Sequence, residues 1–172
     1  MLEFAIKYKE KLAEEFLSIA YDDYYKYYST YADFDDELPK NTWNKIQYVS
    51  YDTKKRKIAG FLQADINRSK HNVDNLHAVR FSKEKNKIFT KDFKIFTDSL
   101  FTKHKFNKIN FSVVVGNPAE MMYDASIDKY CGRVVGTFTN EFKLFDGTLC
   151  DVKWYEIIRE EYMNTFGIEA KK

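Results

Sequence analysis

The chain has 172 residues, a formal net charge of +2 and an apolar fraction of 44%, so it can bury a core. These values exclude disordered, collagen-like and low-complexity proteins, and the near-neutral charge argues against a dedicated nucleic-acid binder. No stretch reaches the roughly 20 apolar residues of a membrane span, so we expect no membrane partner. Two cysteines are too few for a disulfide framework. We therefore expect a reducing, cytoplasmic compartment, in which both cysteines are small buried residues with free thiols.

The first predicted element is a helix from about Glu3 to Tyr28. Its apolar residues recur at helical spacing: Leu12, Phe16, Ile19 and Ala20. An acidic run at residues 33–37, followed by Pro39, is expected to end the helical pattern.

Three strands are predicted next, over Lys45–Tyr51, Ile58–Ile66 and Val73–Phe81. The basic turn between the first two predicts a hairpin. Alternation along the third strand is expected to place five side chains on one face: Val73, Asn75, His77, Val79 and Phe81.

The spacing of the apolar residues then changes from every second residue, as in a strand, to every third or fourth residue, as in a helix. The helix has Thr90 as its expected N-cap, and its apolar face is expected to carry Phe89, Phe93, Phe96 and Leu100. A central strand over Ile109–Val115 follows and ends at Gly116. Pro118 then suits the first turn of a helix that includes Met121, Met122 and Ile127.

The last two strands, Val134–Phe145 and Thr148–Ile158, flank Asp146-Gly147, a strong hairpin pattern. The unit of strand, helix and strand in the middle of the chain should be parallel with a right-handed crossover. We therefore predict one α/β (α+β) domain over residues 1–172. It should have a mixed, largely antiparallel twisted sheet with helices on both faces.

Several segments within residues 45–162 resemble the GNAT superfamily of N-acetyltransferases. Lys57–Leu62 is similar to its third strand, and Asn107–Pro118 to its fifth strand with the following Asn. Gly132–Gly136 and Asp151–Glu161 resemble the branch that contains ribosomal-protein N-terminal acetyltransferases. The resemblance implies a GNAT-like fold and an N-acyltransferase that moves an acetyl group from acetyl-CoA to a primary amine, either a protein N-terminus or a small amine.

The resemblance also implies where coenzyme A binds, although the chain departs from the family there. GNAT enzymes hold its pyrophosphate on a loop of pattern Gln/Arg-x-x-Gly-x-Gly/Ala, whereas Ser82–Thr90 contains no glycine and is a degenerate version of that loop. Backbone groups of Val79, Arg80 and Phe81 would line the pantetheine arm. The other implied cofactor contacts are Lys85, Asn86, Lys87, Thr90 and Asn117. Asn117 could instead cap the helix that follows it.

Acetyl transfer needs a base for the amine proton and an acid for the thiolate. By resemblance Tyr123 is the acid, with Tyr130 as the fallback because the spacing from Asn117 to Gly132 is longer than in the family. His77 is the preferred base and Asp65 the second candidate. The histidines lack metal-ligand spacing, so we expect no metal site.

The sequence is also compatible with two other functions. The missing glycines favour a GNAT-like binding or structural module that has lost catalysis and no longer uses coenzyme A. The many Tyr and Phe residues with interspersed Lys would suit a binder of single-stranded nucleic acid, although the low net charge counts against it. The sequence leaves a homodimer open.

Overall fold

The structure is a computed structural model, and it describes residues 1–28, 39, 42–127 and 129–167. The described residues form seven strands and four α-helices, a mixed α/β fold with a mostly antiparallel sheet. The strands are β1 (Leu2–Phe4), β2 (Lys45–Asp52), β3 (Lys57–Asn67), β4 (Asn72–Arg80), β5 (Lys108–Val114), β6 (Gly132–Lys143) and β7 (Leu149–Ile158). The helices are α1 (Lys9–Ile19), α2 (Lys87–Thr102), α3 (Glu120–Ile127) and α4 (Arg159–Thr165). This confirms the predicted fold class.

The order of strands in the sheet is β1-β2-β3-β4-β5-β7-β6. β2 and β3 are adjacent and joined by residues 53–56, which confirms the first hairpin. β4 pairs with β5 in parallel, with Val73 opposite Ile109, as predicted for the unit of strand, helix and strand. β7 pairs antiparallel with both β5 and β6, so β5 is an interior strand. The hairpin between β6 and β7 is also confirmed, because the two strands pair antiparallel. Gly147 adopts a φ of 90° in its turn.

The predicted helix over Glu3–Tyr28 is wrong at both ends. Leu2–Phe4 instead forms β1, which pairs antiparallel with β2, and the helix begins only at Lys9 and ends at Ile19. Strand pairing satisfies the backbone of the first residues more completely than a frayed helix end would. A short 3₁₀ turn, Asp23–Tyr25, follows, and the acidic run at 33–37 lies outside the described residues.

Contacts group the chain into two compact units, and β3, β4 and α2 contribute to both. The first unit contains residues 1–64 and 77–97. Its core joins α1 to the sheet, with Phe16 edge-on to Phe61 at a centroid distance of 5.5 Å. Val49 lies in this core, whereas its neighbour Tyr48 contacts Phe96 of α2 at 5.7 Å. Because successive strand residues face opposite sides, this unit carries helices on both faces, as predicted.

The second unit contains residues 65–76 and 98–172. Alternate residues of β5, Ile109, Phe111 and Val113, are buried. Phe111 stacks on Tyr155 of β7 at 5.0 Å. The prediction of a single domain over residues 1–172 stays a prediction.

Both cysteines are unpaired and partly exposed, so the expectation that they are buried was wrong. Cys131 has a φ of 53° in the turn before β6, and Cys150 lies near the tip of the last hairpin. Neither position is in a core.

Candidate active site

The residues implied by the resemblance are divided between the two units. The first unit holds His77, Val79, Arg80, Phe81, Lys85, Asn86, Lys87 and Thr90, and the second holds Asp65, Asn117, Tyr123 and Tyr130. Each group is described within its own unit.

β4 is covered on both of its faces, because Val73, Leu76 and Val79 are all buried. Val79 and Phe81 pack in the same core cluster, as expected for residues on one face of the strand. The Phe81 ring packs edge-on against Phe16 at 5.1 Å, and its amide donates to the Ala59 carbonyl at 3.2 Å. Phe81 is thereby built into the sheet and core of the first unit. His77 is partly buried, and its role as a base stays a prediction.

The loop after β4 is held by Arg80, a contact that the sequence pattern did not reveal. The Arg80 guanidinium donates from Nε to the Ser82 carbonyl at 2.5 Å and from Nη2 to the Lys83 carbonyl at 3.1 Å. It also donates to the Tyr24 hydroxyl at 3.2 Å, and the Tyr25 hydroxyl donates to the Arg80 carbonyl at 3.0 Å. The tyrosine-rich turn after α1 therefore braces this loop.

A salt bridge reinforces the same brace. Lys83 Nζ lies 2.7 Å from the Asp22 carboxylate, which also accepts from the Tyr24 amide. Hydrogen bonds from Lys83 and from this amide lower the pKa of Asp22. The carboxylate is therefore ionised at neutral pH and holds Lys83 beside the turn.

The first turn of α2 is capped by Asn86, so the expectation of Thr90 as N-cap was wrong. Asn86 Oδ1 accepts from the amides of Ile88 at 3.0 Å and Phe89 at 3.2 Å. The Thr90 hydroxyl instead donates back to the Asn86 carbonyl at 3.1 Å. These two amides are donors that an anion at a helix N-terminus would use, and here the chain's own side chain occupies them.

The lysines on either side of Asn86, Lys85 and Lys87, are exposed. Their ammonium groups add positive charge at the start of α2 without contributing backbone donors. With no glycine in Ser82–Thr90, side-chain charge is the means by which this loop could attract a phosphate.

In the second unit, the turn after β5 is organised by Asn117. Its Oδ1 accepts from the Ala119 amide at 2.9 Å, and its carbonyl accepts from the Glu120 amide at 2.8 Å. Gly116, with a φ of 90°, donates its amide to the Glu120 carboxylate at 2.9 Å. Asn117 is buried and thus fixes the entry into α3.

Tyr123 of α3 lies against the aromatic core of this unit. Its ring is 5.3 Å from Phe111 and 6.1 Å from Tyr155. Burial raises the pKa of the Tyr123 hydroxyl to about 12. The hydroxyl is thus protonated throughout the neutral range, which is the state that an acid needs.

A polar network fastens α3 to β7. Lys153 Nζ lies 2.6 Å from Glu120 and 3.0 Å from Asp124, one helical turn apart, and the Tyr155 hydroxyl donates to Asp124 at 2.7 Å. The hydrogen bonds from Tyr155 and Lys153 lower the pKa of Asp124, and those to Glu120 and Asp124 raise the pKa of Lys153. These groups are charged at neutral pH and set the position of α3, which carries Tyr123.

Tyr130 belongs to a different cluster of the same unit. Its ring contacts Tyr162 at 6.4 Å and Phe166 at 5.9 Å. The structure therefore separates the two tyrosines that sequence spacing left as alternatives, and only Tyr123 lies against β5.

Sequence patterns also missed a buried charge on β7. Glu156 forms salt bridges with Lys108 of β5, at 2.8 Å, and with Arg133 of β6. The hydrogen bond from Lys108, and then that from Arg133, lowers the pKa of Glu156. Only strand pairing brings these residues together.

No group of three or more His, Cys, Asp or Glu residues within the described part of the chain could hold a metal ion. None of the described helices is long and apolar enough to cross a membrane.

Comparison with solved structures places this fold among acetyltransferases. Spermidine/spermine N-acetyltransferase SpeG from Vibrio cholerae superposes with a TM-score of 0.60 at 22% identity, over 72% of this chain and 71% of that one. A single-residue mutant of SpeG gives 0.60 at 19% identity, over 90% and 78%. A protein proposed to be an acetyltransferase gives 0.69 at 17% identity, over 90% and 85%.

Neither a protein-family model nor a curated protein matches the sequence. The likeness to the solved structures, at this level of identity, establishes the fold: the chain has the fold of the N-acetyltransferases.

Proposed function

We propose that this protein is an N-acyltransferase that moves an acetyl group from acetyl-CoA to a primary amine. The observation that carries the proposal is the fold shared with SpeG and with the second acetyltransferase-like structure over 72–90% of the chain. SpeG acts on spermidine and spermine, which are small amines. The resemblance of residues 132–161 to N-terminal acetyltransferases adds a protein N-terminus as an acceptor for this chain. The two unpaired cysteines fit a cytoplasmic location.

In the proposed reaction the neutral amine nitrogen attacks the thioester carbonyl carbon. The new C–N bond forms, the C–S bond breaks, the amine proton passes to a base, and the thiolate of coenzyme A gains a proton. His77 is the proposed base and Tyr123 the proposed acid. With a pKa of about 12, Tyr123 is protonated at neutral pH; it donates a hydrogen bond to the departing sulfur, gives its proton to the thiolate and is reprotonated from solvent. Tyr130 is the weaker candidate because it contacts Tyr162 and Phe166 instead of β5.

The proposed contacts for coenzyme A follow from the resemblance and differ in kind. Lys85 and Lys87 would supply charge to the pyrophosphate, with Thr90 beside them. Val79 and Phe81 would contribute backbone groups, although the Phe81 amide is already bonded to Ala59. Asn86 and Asn117 are the remaining proposed contacts, and the side-chain oxygen of each already accepts from backbone amides as a cap.

The cap at Asn86 favours a second candidate function. Because Asn86 occupies the amides of Ile88 and Phe89, the start of α2 is satisfied without any ligand. A chain that no longer used coenzyme A would keep such a cap, since it stabilises the helix by about 1 kcal/mol. The second candidate is therefore a binding or structural module that retains the fold and has lost catalysis.

Titration with acetyl-CoA separates the two functions. Ligand at 100 times its dissociation constant should stabilise the fold by about 2.7 kcal/mol, which raises the Tm by roughly 5–10 °C for a chain of this size. Product should be followed by the mass of the acetylated amine, because the two unpaired cysteines would react with thiol reagents. No thermal shift at millimolar acetyl-CoA, together with no product, would favour the binding module.

Two matched variants test the acid. Tyr123→Phe should lower kcat about 100-fold or more, as expected for loss of a general acid, with little change in the KM for acetyl-CoA. Tyr130→Phe makes the same chemical change in the cluster formed with Tyr162 and Phe166. It should change kcat less than threefold, since we expect no chemical role for the Tyr130 hydroxyl. The reverse pattern would assign the acid to Tyr130.

A further inference from the structure

Two loops of the second unit lie side by side and carry only basic charge. One is the turn of residues 68–71, which joins β3 to β4, and the other is the segment 103–107, which joins α2 to β5. The Asn107 amide donates to the His71 carbonyl at 2.9 Å, and the Asn107 side chain donates to the Lys70 carbonyl at 3.4 Å. Neither loop contains an acidic residue. We call their joint surface the basic patch, formed by Lys70, His71, Lys103, His104 and Lys105.

The positive charge of the basic patch is not neutralised by its surroundings. Lys70, Lys103 and Lys105 are exposed. Among the residues that the structure describes, no partner forms a salt bridge with any of the three. Lys108, which follows the second loop directly, is by contrast paired with the buried Glu156. The three ammonium groups of the patch are therefore available to an anionic ligand.

Two imidazole rings of the patch rest on one buried aromatic ring. His104 lies nearly parallel to Phe106, at an interplanar angle of 15° and a centroid distance of 5.9 Å, and His71 lies 5.3 Å from the same ring. Phe106 is buried, whereas His71 is exposed and His104 is partly exposed. Burial, and then the charge of Lys103, lowers the pKa of His104, so this ring is neutral at pH 7. The patch thus presents flat rings, held in place from below, alongside its lysines.

The backbone of the two loops does not account for these residue types. His71 has a φ of 55° and Lys105 a φ of 58°. Glycine adopts such values without strain, so local conformation favours glycine at both positions. Backbone strain of this kind concentrates at functional sites. The basic side chains at these two positions therefore call for a role beyond local folding.

We propose that the basic patch binds single-stranded nucleic acid. The three lysines contact successive phosphate groups, and an unpaired base stacks on the imidazole rings. An acidic peptide would supply negative charge but no flat base for the rings. The inference goes beyond the proposed function and does not depend on it.

The size of the patch sets the strength of binding. The net charge of +2 describes the whole chain, whereas affinity for a nucleic acid depends on the phosphate contacts of a local surface. Three lysines would neutralise about three phosphates, which predicts that the logarithm of the association constant falls with the logarithm of the salt concentration with a slope of about −2. On one side the patch is bounded by Glu160 and Glu161, which follow Arg159, whose amide donates to the Asn107 carbonyl. We therefore expect moderate, salt-sensitive binding.

Fluorescence anisotropy tests the inference with a labelled single-stranded DNA of about 10 nucleotides. The DNA should bind in a saturable way at low salt and show the slope given above. An abasic oligonucleotide of the same length has the same phosphates but no bases, and it should bind at least fivefold more weakly. No saturable binding, equal binding of the abasic oligonucleotide, or equally strong competition by polyglutamate would overturn the inference.

Two triple variants separate the patch from the overall charge of the protein. The first neutralises the lysines of the basic patch: Lys70→Gln, Lys103→Gln and Lys105→Gln. The control neutralises the exposed turn between β2 and β3: Lys54→Gln, Lys55→Gln and Arg56→Gln. Both remove three positive charges, but only the first should weaken DNA binding, by about tenfold or more at low salt, and bring the slope close to zero. An equal loss in the two variants would show a response to net charge alone and would refute the patch.

Two ring variants test the stacking. His104→Ala removes one imidazole ring, and His71→Asn removes the other while keeping a residue that tolerates a positive φ. Each should weaken binding of the DNA about fivefold or more and leave binding of the abasic oligonucleotide within twofold. If His104→Ala fails to fold, His71→Asn still decides the matter. Equal weakening of the two oligonucleotides would contradict the stacking of a base on the rings.

The outcomes also distinguish this inference from the proposed function. Saturating acetyl-CoA should leave DNA binding within twofold, because the loop that would hold coenzyme A is separate from the basic patch. Displacement of the DNA by acetyl-CoA would place the oligonucleotide at that loop and overturn the inference. DNA binding at the patch in a protein that transfers no acetyl group would contradict the proposed function and leave the inference intact.

Discussion

Substitution of Gly60 tests how closely α2 packs on the sheet. A Cβ at Gly60 would lie 2.3 and 2.4 Å from two ring carbons of Phe89 and 2.5 Å from the Val79 carbonyl oxygen. Ordinary contacts of a Cβ lie at 3.4–4 Å, so each of these atoms would have to move by about 1 Å. Phe89 is buried in the first turns of α2, so the substitution strains the segment that carries the loop residues.

We expect Gly60→Ala to destabilise the protein by about 3 kcal/mol, the upper end of the range for overpacking. The ring could turn away, but the carbonyl oxygen belongs to the backbone of β4 and cannot. The Tm should fall by roughly 6–12 °C, and urea unfolding should show a lower midpoint with an unchanged slope. Gly136→Ala is the matched control, because its added methyl group meets nothing, and it should lie within about 0.5 kcal/mol of the wild type.

A double variant separates the two clashes. Gly60→Ala combined with Phe89→Leu relieves the ring contact but not the contact with the Val79 carbonyl. The cost of Gly60→Ala should therefore shrink by about 1 kcal/mol without disappearing. A wild-type stability for Gly60→Ala, or a complete rescue by Phe89→Leu, would refute this account of the packing.

Two further predictions concern charges of the second unit. Glu156→Gln should lower the free energy of unfolding, measured in urea, by about 1–2 kcal/mol. This is less than the loss of a fully buried ion pair, because Lys108 is 34% exposed and can reach water. A stabilised variant would contradict this role of Glu156. Because the pKa of Asp124 is lowered in the folded state, its contribution is present above its unfolded pKa of about 3.9 and is lost as the pH falls through the lower folded value. Asp124→Asn should therefore flatten the loss of stability below about pH 4, and an identical acid profile in the variant would exclude the effect.

Local patterns predicted most of the sheet correctly. Asp146-Gly147 specifies its hairpin because the turn requires a positive φ that glycine adopts without strain. The run Ile109–Val115 predicted a central strand because only a strand covered by neighbours can bury so many apolar residues. The same reasoning gave the parallel pairing of β4 with β5 and the overall fold class.

Where local patterns failed, a distant partner decided the outcome. Apolar spacing predicted a helix from about Glu3, whereas Leu2–Phe4 pairs with β2, about 45 residues away in the chain. Asn86 and Thr90 are both acceptable caps, and the start of α2 is fixed by where Phe89 packs against Gly60. Spacing alone could not choose between Tyr123 and Tyr130, because the choice depends on which aromatic cluster each ring enters.

The sequence by itself determined the fold class, most of the elements and the residue types available for acyl transfer, because turn residues and apolar periodicity act over a few positions. Only the tertiary structure decided which of those residues meet. Arg80 holds the loop after β4, Glu156 pairs with charges from two neighbouring strands, and a single extra residue at Val135 places Gly136 opposite Trp154. Such contacts depend on strand register and chain reversal over long separations, which no local pattern encodes.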